Sequence, residues 1–121
     1  MKKVKKIVIF AVFMFFSFNV MSIEKTIYDH NFVDIDGNSV DLSKFQGKPV
    51  LLINTASRCG FTPQYEEMQN LFLKYNKTDL TIIATTSNSF NQEYTTSEEI
   101  KKICLVNYEI GFITSSPMNV K

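Results

Sequence analysis

Residues 49–85 read PVLLINTASRCGFTPQYEEMQNLFLKYNKTDLTIIAT, and this stretch decides the fold. Its first part, Pro49 to Ala56, is a nearly continuous apolar run, the pattern of a strand covered on both faces. Its last part, Leu80 to Thr85, repeats the pattern. Between them Tyr65, Met68, Phe72 and Tyr75 recur at offsets of three and four, which puts them on one face of a helix. Pro63 suits the first helical position, where its missing N–H costs nothing, and Thr62 is the expected N-cap. A buried strand, a crossover helix and a second buried strand make a right-handed parallel unit.

The flanks extend this unit. Upstream, Thr26 to Leu42 reads as a β-hairpin, because Ile35 and Val40 bracket Asp36-Gly37-Asn38, residues that tolerate positive φ. Ser43 to Lys48 is expected as a helical turn or loop ended by Gly47. Downstream, a polar loop from Thr86 to Thr96 leads to a helix capped by Ser97. Glu98 and Glu99 there favour the helix dipole, and the helix is expected to run to about Val106. No internal repeat is visible. Hairpin, strand, helix, strand, loop and helix together give an α/β, thioredoxin-like fold, and fold alone does not assign function.

The first residues do not belong to this core. Lys2, Lys3, Lys5 and Lys6 form a positive head, and an apolar run follows from Ile7 to about Val20. Small or aliphatic residues then lead to Ile23. This is the layout of a secretory signal, so residues 1–22 are expected to be a cleaved signal peptide and 23–121 the working domain. The run is short for a bilayer span of about 20 residues, so no stable membrane association is expected after cleavage. The expected location is the periplasm or the exterior. Removal of the leader leaves nine basic against twelve acidic residues, a net charge near −3. Such a surface offers nothing to nucleic acid or acidic lipid.

Two cysteines remain, Cys59 and Cys104. In an oxidising compartment such a pair tends toward a disulfide, either structural or catalytic. Cys59 falls between a buried strand and a helix start, the edge of an α/β sheet where reactive groups gather. The helix-start N–H groups and the neighbouring Arg58 both favour thiolate, the nucleophilic form. Gly60 lets a small substrate approach the sulfur. The plain alternative is an ordinary buried cysteine. Cys104 shares a helical face with Ile100 and Ile103, so core packing is one account of it. His30, the single histidine, reads as a surface residue. Two Cys and one His cannot supply a four-ligand zinc site by themselves, and no metal or cofactor is expected.

The segment from Asn54 to Tyr65, Asn-Thr-Ala-Ser-Arg-Cys-Gly-Phe-Thr-Pro-Gln-Tyr, closely resembles the nucleophile segment of glutathione peroxidases. Asp34-Ile35-Asp36-Gly37 and Leu42 to Lys48 continue the likeness upstream. Ser87 to Glu93 and Glu98 to Cys104 continue it downstream. The resemblance covers about Ile27 to Met118 and implies a non-selenium, cysteine-type member. It implies that Cys59 is the peroxidatic nucleophile, attacking a hydroperoxide O–O bond and becoming a sulfenic acid. Gln92 matches the glutamine that hydrogen-bonds the sulfur and the departing oxygen; its alternative is a solvated loop residue. Asn88 reads as a turn-former. Cys104 matches the cysteine that resolves the sulfenic acid, giving a disulfide that a thioredoxin-like protein or glutathione then reduces.

The loop departs from the family at Ser89, before Asn91, and at Tyr94-Thr95. Family members also continue past the position of Lys121 into further strands, a helix and a Trp-Asn pair. The expectation is therefore a C-terminally incomplete member, its sheet incomplete at that end and its intrinsic activity low. The functional expectation is a thiol peroxidase acting on hydrogen peroxide and organic hydroperoxides in oxidative stress. A non-enzymatic redox sensor or an inactive remnant is the alternative.

Overall fold

One carboxylate organises the hairpin turn. In the computed structural model, which describes residues 24–121, Asp34 accepts hydrogen bonds from the backbone N–H groups of Asp36 (2.9 Å) and Asn38 (2.8 Å). Gly37 takes φ +88°, a left-handed conformation open to glycine without steric cost. The turn joins β1 (Asn31–Val33) to β2 (Ser39–Asp41), antiparallel, with Phe32 opposite Val40. A 3-10 turn, Ile27–Asp29, precedes the hairpin and a second, Leu42–Phe45, follows it. The expected signal segment, 1–22, lies outside the described residues.

The parallel unit is present. β3 (Val50–Thr55) pairs in parallel with β4 (Thr81–Thr86), Leu51 opposite Ile82 and Ile53 opposite Ala84. The crossover is α1 (Gln64–Tyr75). A fifth strand, β5 (Ile113–Thr114), runs parallel to β4 on its other side. Sequence reading gave no sign of it, because two residues are too short to show alternation. β5 also receives the hairpin: Ile35 N–H donates to the Thr114 carbonyl and Ser116 N–H to the Val33 carbonyl, both at 2.8 Å.

Alternate residues of the sheet face one core. Leu51 and Ile53 of β3, Ile82 and Ala84 of β4, Tyr65, Met68, Leu71 and Phe72 of α1, and Ile100 and Cys104 beyond it pack together. Ile110 and Phe112 complete the cluster. Gly111 permits the approach of this last segment to α1, since a Cβ there would sit 2.7 Å from Phe72 Cε1. On the opposite face of β3 the expectation fails. Leu52 is 52% exposed and Asn54 is exposed as well, so among the described residues β3 is covered on one face, not two. It is the end strand of the sheet among the described residues, and both helices supply side chains to the single cluster on the Leu51 and Ile53 face.

Both expected caps are corrected. The residue before α1 is Pro63, in helical conformation, and Thr62 is occupied elsewhere. α2 (Ser97–Lys102) is capped by Thr96, whose hydroxyl accepts from Glu99 N–H at 3.3 Å. A hydroxyl on the last extended residue can reach back to the third helical amide, whereas Ser97 is already inside the helix. The expected continuation to Val106 is helical but not α: Ile103–Asn107 winds as a π-helix. It ends where Glu109 takes φ +50° and Ile110 N–H donates to the Cys104 carbonyl. Tyr75, expected on the buried face of α1, is 37% exposed, and Leu71 packs against the core instead.

These burials rank the strands and helices by sensitivity. Ile100→Ala removes a fully buried side chain and is expected to destabilise by about 2–5 kcal/mol. Leu52→Ala, on the uncovered face, is expected to cost about 1 kcal/mol or less. Urea denaturation of both variants checks the order; equal losses would mean that Leu52 is covered in solution.

Candidate active site

Cys59 stands on a run of tight turns between β3 and α1. Thr62 N–H donates to the Cys59 carbonyl, Gln64 N–H to the Phe61 carbonyl and Tyr65 N–H to the Thr62 carbonyl, each at 3.0 Å. The Thr62 hydroxyl accepts from the Cys59 N–H at 3.0 Å. Its own proton is directed to a backbone carbonyl, with Cys59 O at 2.7 Å and Ala56 O at 2.9 Å. Thr62 therefore fixes the backbone of the cysteine rather than the helix end. Glu66 and Glu67 occupy the first turn of α1, where negative charge meets the positive end of the helix dipole.

A second loop, leaving the end of β4, is stitched to the first. Arg58 N–H donates to the Gln92 carbonyl at 2.8 Å. Glu93 is 1% exposed, and its carboxylate accepts from Ser57 N–H (3.0 Å) and from Tyr94 N–H (2.8 Å). The Arg58 guanidinium lies 5.5 Å from the Tyr94 ring centroid, a cation–π contact that holds the same two loops together. Asn91 absorbs the bend with φ +59°, and Asn88 Oδ1 accepts from Glu93 N–H at 3.4 Å. Asn88 is the turn-former expected of it. Glu93 was missed as an organising group: one acid in a polar loop carries no sequence signal of burial.

The stitching brings Cys59 and Gln92 to one cavity of about 360 Å³. Cys59 is partly exposed and its thiol is free. Ile53, Phe61, Tyr65 and Met68 give the cavity apolar walls, and Asn54, Gln64 and Gln92 bring amides. No carboxylate, imidazole, ammonium or guanidinium group lines it. The arrangement can hold a small neutral molecule against the sulfur, with an amide N–H donor at hand. His30 is exposed at the hairpin entry, as expected. No group of three or more His, Cys, Asp or Glu side chains that could hold a metal ion occurs among the described residues.

Cys104 is not brought to that cavity. It is 2% exposed, sits in the π-wound segment, and lines a separate space of about 370 Å³ with Ile35, Val40 and Phe112. Tyr65 lies between. Its ring lines the Cys59 cavity and packs with Cys104 in the core. Its hydroxyl is buried without a hydrogen-bond partner, as is that of Ser57. An orphaned hydroxyl of this kind costs about 1–3 kcal/mol. Burial pushes the Tyr65 phenol up.

Burial also raises the Cys104 thiol from an ordinary 9.0 to about 11, with the Tyr65 hydroxyl opposing the rise and Glu93 adding to it. The folded value exceeds the unfolded one, so the associated stability is fully present below pH 9.0 and is lost as pH rises through about 11. A rise of that size corresponds to a loss on the order of 2 kcal/mol. Urea unfolding at pH 8 and at pH 11 is expected to show this loss in the wild type beyond that in Cys104→Ala. Equal losses would mean that the thiol is not sealed.

The glutathione peroxidase family profile matches residues 27–121. A glutathione peroxidase homolog of Neisseria meningitidis is 41% identical over 87 residues, covering 71% of this chain and 49% of its own length. A glutathione peroxidase-like peroxiredoxin of Schizosaccharomyces pombe is 43% identical over 94 residues, covering 77% and 60%. The crystal structure of T. cruzi GPX1 matches at a TM-score of 0.58 and 30% identity, over 80% of this chain and 57% of its own. The chain spans about half the length of the curated relatives it matches. The strand–turn–helix corner that carries Cys59 and the thioredoxin-like sheet behind it lie within the matched region, and the chain belongs to the glutathione peroxidase family.

Proposed function

We propose that this protein is a thiol-dependent peroxidase that reduces hydrogen peroxide and organic hydroperoxides, with Cys59 as the nucleophile. One observation carries this reading: Cys59 and Gln92, delivered by loops from adjacent strands, line a single open cavity without an ionisable side chain besides the thiol and the Tyr65 phenol. The Cys59 thiolate attacks one oxygen of the hydroperoxide and the O–O bond breaks. The sulfur loses two electrons and becomes a sulfenic acid, and the other oxygen leaves as water or alcohol with a proton. The Gln92 amide donates to the departing oxygen without adding charge.

Cys104 resolves the sulfenic acid. Its sulfur attacks that of Cys59, the S–O bond breaks, and water leaves with the thiol proton. Cys104 is buried, so its π-wound segment opens before the sulfurs meet. The disulfide is then reduced by thiol exchange. The cavity has no cationic side chain for the carboxylates of glutathione, which favours a thioredoxin-like protein as donor. Such a protein would act in oxidative-stress defence outside the cytoplasm. The positive head and apolar run of residues 1–22 support export. No described helix is long and apolar enough to cross a membrane.

Cys59→Ser is expected to abolish peroxide consumption coupled to thioredoxin oxidation, and Cys104→Ser to stop turnover after one equivalent. Gln92→Ala is expected to slow sulfenic acid formation about a hundredfold, the lower end of the range for losing an aimed donor. Stopped-flow peroxide kinetics with mass spectrometry measure each step. Unimpaired turnover by Cys59→Ser would end the assignment. N-terminal sequencing of the exported protein is expected to begin near Ile23; a start at Met1 would remove the export reading.

A further inference from the structure

We propose that Tyr65 is a positioning residue that times disulfide formation by gating Cys104. Its role in turnover rests on the peroxidase reading above, while its role as a seal does not. Tyr65 is the single buried side chain among those lining the Cys59 cavity, and the same ring packs with Cys104 in the core. It is thus the buried residue common to the Cys59 cavity and the cluster that holds Cys104, the position of a wall between the two sulfurs. Tyr108, just beyond the π-wound segment, packs against the ring at a centroid distance of 5.4 Å. Cys104 itself opens on a different cavity, so the path from one sulfur to the other is closed while Tyr65 stays in place.

The hydroxyl decides how firmly the seal holds. At 3% exposure the Tyr65 O–H makes no hydrogen bond of ordinary geometry; its polar neighbours Thr55 and Cys104 offer only a poorly directed contact. Any excursion that carries the hydroxyl to water or to a protein acceptor restores a missing bond. The sealed state thus carries a built-in cost that the open state does not, and the cost lies beside the residue that must be released. The π-wound backbone at Ile103–Asn107 places the other half of the opening in the same spot, with Leu105 48% and Val106 69% exposed already. The gate separates two chemical steps. Oxidation of Cys59 by a hydroperoxide needs no motion of Tyr65. Attack of Cys104 on the sulfenic acid, with loss of water and formation of the S–S bond, requires it.

Tyr65→Phe keeps the ring and deletes the unpaired hydroxyl, so it tightens the seal. In the intact, reduced protein without urea, alkylation of Cys104 by N-ethylmaleimide is expected to slow by roughly fivefold or more in Tyr65→Phe. In Tyr65→Leu, which removes the wall, it is expected to accelerate. With hydrogen peroxide, Tyr65→Phe is expected to slow disulfide formation by a larger factor than any change in Cys59 sulfenic acid formation, because the first step does not use the gate. Disulfide formation is expected to slow in parallel with alkylation, and over-oxidised Cys59 sulfinic acid to accumulate. A packing role alone would shift global unfolding without splitting the two oxidation steps. Wild-type alkylation and resolution rates in Tyr65→Phe would overturn the proposal, as would equal slowing of both steps. If wild-type Cys59 fails to react with peroxide, the peroxidase reading falls, and the alkylation comparison still decides the gate by itself.

Discussion

Two loops that leave neighbouring parallel strands are held in contact by the buried carboxylate of Glu93, and the site depends on that contact. The carboxylate takes the N–H of Ser57 on one loop and that of Tyr94 on its own. Intramolecular hydrogen bonds of this kind contribute about 0.5–1.5 kcal/mol each, which offsets part of the entropy of ordering the loops. The Arg58–Gln92 backbone bond lies one residue along on each loop. Together they fix where Cys59 and Gln92 stand relative to each other, while the strands behind supply rigidity through a six-residue parallel ladder. A carboxylate suits this work because it accepts from several amides at once and donates to none.

The two cysteines occupy opposite environments for a physical reason. Cys59 lies on turns whose backbone bonds are satisfied locally, so its side chain can face a cavity without unsettling the core. Cys104 is part of the core cluster, beside Ile100 and Tyr65, and burial holds it as a protonated thiol. A thiol kept neutral and enclosed is shielded from a small oxidant that reaches the open cavity. Any reaction at that enclosed sulfur would require the chain to rearrange, and the widened helical winding at Ile103–Asn107 puts a departure from regular α-helical bonding at that residue.

Much of this was legible in the sequence, for reasons that differ by element. The β3–α1–β4 unit was readable because its apolar runs and its three-and-four spacing are long enough to show a period. The hairpin was readable through Asp36-Gly37-Asn38, and the strand-to-helix corner at Cys59 through the break between its apolar run and the helix. β5 was not readable: its two residues take strand geometry only from tertiary pairing with β4 and the hairpin. Thr62 and Ser97 were misassigned by one kind of error, since cap preference names a residue type but not which neighbouring hydroxyl points at a free amide. Leu52 looks like core in one dimension and lies on an uncovered face in three. Tyr65 was placed on the buried face, yet nothing in the sequence marks its hydroxyl as unpaired.

Among the described residues β3 lies at the rim of its sheet, which leaves the backbone on its outer side open to pairing. Along Val50–Thr55 one side of the backbone is paired to β4, and no described strand pairs with the other. Such a border offers a ladder of free amides and carbonyls to any extended peptide that can align with it. Leu52, half exposed beside that border, adds an apolar handle. The neighbouring Lys48, paired at 3.0 Å with Asp79, and Pro49, which has no N–H to offer, guard the entrance to the strand. Whatever lies against that border, whether chain or partner, would satisfy those groups and cover Leu52 at the same time.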